Sequence, residues 1–336
     1  MVTLQDIADK TGFSRAVVSR ALNPYPDQKV AERTREIIRR AAEEMGYKRN
    51  QAASLLARGA SPAIGIFLPG HPSDLLCALI QGMSKVANHY GFACNIYSGM
   101  TEADYRDFLQ TVQYTRNAGV ITYLPFNFSG DELPHQLAEV LPEDCKVVVA
   151  NSPVHFKRKN VESVMIDNFY GGELAAQHLL EKGCKTFFYE GSSNSWQREE
   201  RNHGFLSVLR KANISEDNLI CFGDSVREAE WWRTCSKNIA ESSTVTGVFC
   251  NNDDTALMLL RYLSAAGAAD SVPEKIKIVG FNDTLLAGWN NLTTIRQPFE
   301  ELGEAAMTLL VNHLTRADIK VPTTRLAPEL VVRQTT

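Results

Sequence analysis

The chain is 336 residues long, with 44% apolar and 22% charged residues and a formal net charge of −4. This is long enough for a small module plus a large two-lobed domain with substantial cores, at the composition of an ordinary globular protein. No apolar run approaches the length of a membrane span. The opening MVTLQDIADK lacks the basic start and apolar run of a secretory leader, so a cytoplasmic location is expected. Seven cysteines (Cys77, Cys94, Cys145, Cys184, Cys221, Cys235 and Cys250) form no CxxC pair and read as reduced thiols, not as a zinc site or a disulfide framework. Charge is uneven: residues 1–60 hold eleven Lys/Arg against seven Asp/Glu, which leaves about −8 for the remainder. A basic head on an acidic body fits a protein that presents one end to nucleic acid.

The stretch Thr3–Asn23, TLQDIADKTGFSRAVVSRALN, reads as a helix, a tight turn and a second helix. Thr3 can N-cap the first helix, with Asp6 three residues on in a variant of the capping box. Leu4, Ile7 and Ala8 recur at helical spacing and make one apolar face. Gly12 allows a turn at positive φ, and Ser14 caps the second helix. That helix turns Val18, Ala21 and Leu22 inward and Arg15, Ala16, Ser19 and Arg20 outward. Two short helices joined at a glycine, with basic side chains near the start of the second, suit insertion into a DNA major groove. Neither is long enough to be stable alone. The loop PYPDQK, with two prolines, interrupts helical structure. A third helix is expected from about Ala31 to Met45, with Ile37, Ile38, Ala41 and Met45 as its buried stripe and Gly46 as its stop. Asn50–Arg58, NQAASLLAR, is helix-capable but too short to hold a helix in isolation.

From Ile64 the texture changes. Apolar runs such as IGIFL, FACNIY, GVITYL, KVVVA, VMI, TFFYE, GVFC and IKIVGF alternate with amphipathic helices. Helices are expected over Leu75–Tyr90, Tyr105–Asn117, Gly171–Lys182, Arg198–Ala212, near Arg227–Glu241, and over Asp253–Ala266. Short buried strands alternating with helices imply parallel sheets covered on both faces. About ten strand candidates are too many for one small sheet, so two doubly wound lobes with a cleft between them are expected.

The helix-turn-helix text, followed by ERTREIIRRAAEEMGYKRNQAASLLARG and closing on LTTIRQPFEELGEAAMTLLVNHL and APELVVRQTT, resembles the lac/gal/purine repressor family of bacterial transcription regulators over essentially the whole chain. The resemblance implies an α/β protein with an N-terminal helix-turn-helix headpiece (1–48), a hinge helix or linker (49–61) and a two-lobed periplasmic-binding-protein-like domain of doubly wound parallel sheets (62–336) for effector binding and dimerisation. The N-lobe would span about 62–163 and 299–321, and the C-lobe about 164–291 and 322–336. Crossings between lobes would fall near Val164, Leu292–Pro298 and Val321. By family position, Arg15, Ala16 and Arg20 read bases, while Thr3, Ser14, Ser19, Asn23 and Thr34 hold phosphates. Arginine can bond guanine O6 and N7 together, and alanine can touch a thymine methyl; phosphate contacts set register. In the family the hinge becomes helical when two chains pair on operator DNA. Leu56 would then wedge into the minor groove and bend the duplex, with Ala52 and Ala53 small enough for close approach of the two hinges. The tetramer-forming heptad tail of some relatives is not expected.

The same resemblance places an effector in the cleft, the default ligand site of such domains. It points to Asp74 and Leu75 in PGHPSDLL, Asn151 (often acidic in relatives), Asp167, Arg201, Asn252 and Asp253 in CNNDD, Asn282 in place of a frequent aspartate, and Gln297. Asp253 and Asp167 are also good helix-start residues. Where several relatives place a stacking ring this chain has Ser225, and Trp196 or Trp289 could supply one. One arginine, several amides, one or two carboxylates and an indole suit a polyhydroxylated ligand, a sugar ahead of a nucleoside or purine. The expected protein is a homodimeric repressor on near-palindromic operator DNA, with no cofactor and no metal. Two alternatives stand beside it. A transport-linked solute-binding protein would share the core but leave residues 1–60 without a role. An enzyme is disfavoured because no Walker loop, GxSxG, HExxH or metal-spaced His/Cys cluster is present.

Overall fold

The computed structural model describes residues 2–22, 30–47, 61–71, 73–123, 137, 139–153, 160–191, 195–223, 229–315, 319 and 323–336. The expected positions Asn23, Ala53, Leu56, Ser225 and Val321, and all but the last residue of the 49–61 hinge, lie outside them.

Three helices form the N-terminal head: α1 (Leu4–Thr11), α2 (Arg15–Ala21) and α3 (Glu32–Glu44). The capping box at Thr3 is complete. Its N–H donates to Asp6 Oδ2 at 2.7 Å, and Asp6 N–H donates back to Thr3 Oγ1 at 3.3 Å. Gly12 ends α1 at φ 74°, its N–H on Ala8 O, a left-handed conformation that a Cβ would oppose. Ser14 Oγ accepts from Val17 N at 3.3 Å. Ile7, Ala8, Val18, Ala21, Ile38, Ala41 and Ala42 form the small core, with Leu4, Leu22 and Met45 packed around it. Ile37 was expected in this stripe but is 46% exposed. The buried face of α3 runs 38, 41, 42, 45, the i, i+3, i+4, i+7 row of one helix side, and residue 37 falls about 100° away from it.

The remainder builds two sheets. The first has the spatial order β11-β5-β4-β3-β1-β2, from β1 (Ser61–Pro69), β2 (Ala93–Gly99), β3 (Asn117–Thr122), β4 (Lys146–Ala150), β5 (Val161–Ile166) and β11 (Arg325–Leu326). The second, in the order β12-β10-β9-β8-β6-β7, uses β6 (Thr186–Glu190), β7 (Leu219–Phe222), β8 (Thr246–Phe249), β9 (Ile276–Asn282), β10 (Thr293–Arg296) and β12 (Glu329–Val331). All described pairings are parallel except β10 with β12. Both faces are covered, which is why the strands read as continuous apolar runs. Along β1, Ile64, Ile66 and Leu68 face one core and Phe67 the other. In the second sheet Phe188 and Val248 face one side, Phe187 and Phe249 the other. Strand β7 was missed because its burial is partial at an edge.

The first sheet carries α4 (Asp74–Tyr90), α5 (Glu102–Thr115) and, from late in the chain, α11 (Phe299–Thr315). The second carries α6 (Asn168–Glu181), α7 (Trp196–Lys211), α8 (Ala229–Ala240), α9 (Asp253–Ala265) and the short α10 (Leu285–Trp289). In each lobe a pair of helices crosses on glycines, α4 with α11 in the first and α6 with α7 in the second. A Cβ on Gly82 would lie 1.9 Å from Glu300 O, and one on Gly172 would lie 1.9 Å from Arg201 O. Absence of a side chain is what allows these backbones to touch.

The chain passes between sheets three times, and pairing shifts two of the expected crossings. Strand β5 stays hydrogen-bonded to β4, and its end, Met165–Ile166, pairs with β11. The first crossing is therefore at Asp167, not near Val164. The second is at Gln297–Pro298, between β10 and α11, within the expected range. Because Arg325–Leu326 still belongs to the first sheet, the third falls at Ala327–Pro328, beyond Val321.

Candidate functional site

The head offers an outward face on α2. Arg15, Ala16, Ser19 and Arg20 are all exposed, as are Thr3 and Ser14, while Thr34 is half-buried near the start of α3. No described carboxylate pairs with Arg15 or Arg20; Asp6, Asp9, Glu32 and Glu44 bind elsewhere in the head. Glu44 takes Lys10 at 3.0 Å, tying α1 to α3, and Arg40 at 3.3 Å. The face is thus cationic and unneutralised, and its polar rim lies at helix starts, where backbone N–H groups favour phosphate.

The second region lies between the lobes, at the carboxyl ends of the parallel strands, where open α/β sheets hold ligands. Arg201, on α7, is its centre. The residue is 7% exposed. Its Nε donates to Asn168 Oδ1 at 2.8 Å and its Nη1 to Asn251 O at 2.5 Å, and its guanidinium lies 3.8 Å over the Phe281 ring. Burial pulls its pKa down to about 9, so it remains a cation at neutral pH. Across the cleft, Tyr123 follows β3; its phenol is pushed up by burial and lies close enough to sense the Arg201 charge. Tyr123 OH accepts from Asn151 Nδ2 at 3.1 Å.

Beneath Arg201 is a buried carboxylate, Glu190, the last residue of β6. It accepts from Asn251 N at 2.7 Å, Thr255 Oγ1 at 3.2 Å and Arg198 Nη1 at 3.5 Å. Its pKa is raised by burial, against the pull of Arg198. Its backbone carbonyl takes Asn202 Nδ2 and Asn251 Nδ2. Glu190 therefore holds the turn whose Asn251 carbonyl holds Arg201.

Several nominated residues have structural partners. Asp74 Oδ1 takes Leu75 N at 3.1 Å and Oδ2 takes Leu285 N at 2.9 Å, across the cleft mouth, at the start of α10. Leu75 packs against the first lobe's core. Asn151, at φ 55°, spends its side chain on Tyr123 and on Ile166 N, while its carbonyl accepts from Gln197 Nε2 at 2.9 Å, a second bond between lobes. Asp167 caps α6 through Tyr170 N and receives Arg325 at 2.7 and 2.9 Å. Burial raises its pKa, but Arg325 and the cap outweigh this and the net shift is downward. Helix α9 is capped by Asn252 through Thr255 N, not by Asp253. Asp253 is fully buried and ties Thr294 Oγ1 at 2.6 Å to Thr284 N at 2.8 Å. Gln297 Nε2 donates to Asn282 Oδ1 at 2.6 Å, while its buried Oε1 has no partner among the described residues. Trp196 is half-buried at the start of α7; Trp289 is 75% exposed on α10 and no part of the core. Tyr123, Asn168, Glu190, Gln197 and Asn251 were not singled out from sequence. Tyr123, Glu190 and Asn251 each sit at or just past the carboxyl end of a strand, a signal that could have found them.

A helix-turn-helix head with an open cationic face, on a two-lobed parallel-sheet domain with a polar interlobe site, defines a ligand-responsive, DNA-binding transcription regulator. Residues 3–50 match the bacterial regulatory proteins of the lacI family, and residues 176–336 match the periplasmic binding protein-like domain. The chain is 27% identical over 344 residues to the HTH-type transcriptional regulator RegA of Clostridium saccharobutylicum, covering 99% of each chain. It is 26% identical over 343 residues to the ribose operon repressor of Halalkalibacterium halodurans, covering 100% of this chain and 97% of that one. A solved complex of the transcriptional regulator CelR with cellobiose shares the fold, at a TM-score of 0.66, 24% identity and full coverage of both chains. The chain thus carries a lacI-family helix-turn-helix domain ahead of a periplasmic binding protein-like domain, and the relatives it matches along its length are transcription regulators.

Proposed function

We propose that this regulator is a homodimeric repressor, acting in the cytoplasm and not as an enzyme, that releases or grips near-palindromic operator DNA according to a sugar bound between its lobes. Two heads read the half-sites through Arg15, Ala16 and Arg20, with Thr3, Ser14, Ser19, Asn23 and Thr34 on phosphates. The hinge, through Ala53 and Leu56, bends the centre of the site. Arg201, Gln297, Asn282 and Trp196 contact the effector, with Tyr123 opposite. Asp74, Leu75, Asn151, Asp167 and Asn252 act indirectly, because their side chains already serve the fold. The observation that carries the reading is the pairing of an unneutralised cationic helix face with a buried arginine between two lobes. A sugar effector is supported by two relatives, the ribose operon repressor by its name and CelR by its cellobiose complex.

Ligand that alters the lobe angle alters how well two hinges can pair, and the coupling is reciprocal: DNA changes ligand affinity by the same factor. The test is retardation of the gene's own upstream fragment at several salt concentrations, with and without a panel of sugars. Retention that weakens steeply with salt and shifts with one sugar supports the reading. Failure to retard that fragment at low salt under every condition ends it.

A further inference from the structure

The second lobe carries apolar surface that no described element covers. Eleven large apolar side chains are exposed among the described residues, and four of them, Met258, Leu285, Leu286 and Trp289, stand on α9 and α10. These two helices pack together on one core, through Ala256, Leu259, Leu263 and Ala287. Leu285 and Trp289 fall on the same side of α10, away from the buried Ala287. An indole left this open to water marks a surface that a partner covers. The face runs on to the first lobe, because Asp74 Oδ2 holds Leu285 N at 2.9 Å. Exposed Met100 accepts there from Gly70 N, four residues before α4.

Charge on α9 selects the occupant. Its outward row is Asp254, Met258, Arg261 and Ala265, the i, i+4, i+7, i+11 stripe of one helix side, and all four are exposed. Neither Asp254 nor Arg261 makes an ion pair or a side-chain hydrogen bond with a described residue. A stripe with an acid at one end, a base at the other and a methionine between them is its own complement when turned end for end. Asp254 and Arg261 lie ~10 Å apart along the helix axis. A two-fold axis midway between them passes beside Met258. Two copies of α9 crossing antiparallel there place each Asp254 opposite the partner's Arg261, so the pair forms twice. A uniformly acidic or uniformly basic partner would satisfy one of these charges and oppose the other. Two-fold symmetry is also what two heads on a near-palindrome require.

We infer that the outward face of α9 and α10 is a self-recognition surface, on which a second copy of this chain seats with Asp254 against the partner's Arg261 and with Met258 and Trp289 in the apolar centre. This rests on the homodimer of the proposed reading. It adds where that dimer forms and what restricts it to like chains, since a related chain without the reciprocal pair leaves both charges unmatched.

The test is sedimentation of the full-length protein, without DNA, over a range of concentrations. Asp254→Arg and Arg261→Asp each set like charges opposite one another twice, and each should weaken self-association about tenfold or more. Mixing the two single variants matches the arginines of one with the aspartates of the other and should restore the dimer. The double variant D254R/R261D should dimerise with itself yet fail to exchange with the wild type. Trp289→Ala should weaken association about tenfold or more. Single variants that dimerise as tightly as the wild type, or a mixture no tighter than either variant alone, overturn the inference and leave a homodimer built on another face. A wild-type chain that stays monomeric at every concentration removes the homodimer reading along with it.

Discussion

Asp253 provides the sharpest test of how the second lobe is held together. Its carboxylate, fully buried, accepts from Thr294 Oγ1 and Thr284 N, joining β10 and the start of α10 to α9. Burial pushes its pKa from 3.8 up to about 6, against the pull of these bonds. Below the unfolded pKa both states are protonated and the group costs nothing. As pH rises from about 4 to about 6, the unfolded chain releases its proton first, and stability falls until the folded group ionises as well. A gap of about two units corresponds to ~3 kcal/mol. The Asp253→Asn variant keeps the geometry: the new amide accepts from Thr284 N through its oxygen and donates to Thr294 Oγ1 through its nitrogen, and the threonine proton rotates away. The stability of Asp253→Asn relative to wild type should therefore rise by ~2 kcal/mol between pH 4.5 and 7.5, since part of the gap is already expressed below pH 4.5. Urea unfolding followed by tryptophan fluorescence measures it, since Trp196, Trp231, Trp232 and Trp289 all lie in the second lobe. Glu190 titrates in both proteins and cancels. A difference that stays constant with pH, or shrinks as pH rises, refutes the reasoning.

Other expectations concern the head, the helix crossings and the cleft mouth. Arg15→Ala and Arg20→Ala should each cost about 1–3 kcal/mol of operator binding and relax preference at one position of each half-site, read by retardation on a panel of altered sites. Gly172→Ala must push α7 away, because its Cβ meets Arg201 O at 1.9 Å. It should destabilise by about 1–3 kcal/mol and weaken effector binding, whereas Gly82→Ala, with the same clash at Glu300 O, should destabilise with less effect on the effector. Asp74→Ala frees the Leu285 amide across the cleft mouth, so hydrogen exchange over residues 283–290 should accelerate by about tenfold or less. Unchanged exchange would mean that this bond holds nothing closed.

The helix-turn-helix was readable because its determinants are local. A cap three residues from its partner, a glycine at a turn and a 3.6-residue apolar rhythm need no distant contact. Ile37 escaped because one step along a helix is a quarter-turn around it, and only packing against α1 and α2 decides which side is inward. Strands β1, β3, β4, β6, β8 and β9 were readable because burial on both faces leaves a continuous apolar run. The crossings moved because a strand ends where its partner ends, and Met165–Ile166 pairs with residues 160 positions later.

The polar site shows the same division more plainly. The family resemblance, legible in the sequence alone, marked Arg201, Asp167, Asp74 and Asn151 as important. Which atoms they would satisfy was settled only by folding. Asp167 met Arg325 at a separation of 158 residues and Asp74 met Leu285 at 211, turning two proposed ligand groups into braces. A chain carries its local preferences in neighbouring residues. Its buried charges find partners only when distant segments are brought together, and the same closing of the fold set Arg201 on two neutral acceptors, Asn168 Oδ1 and Asn251 O.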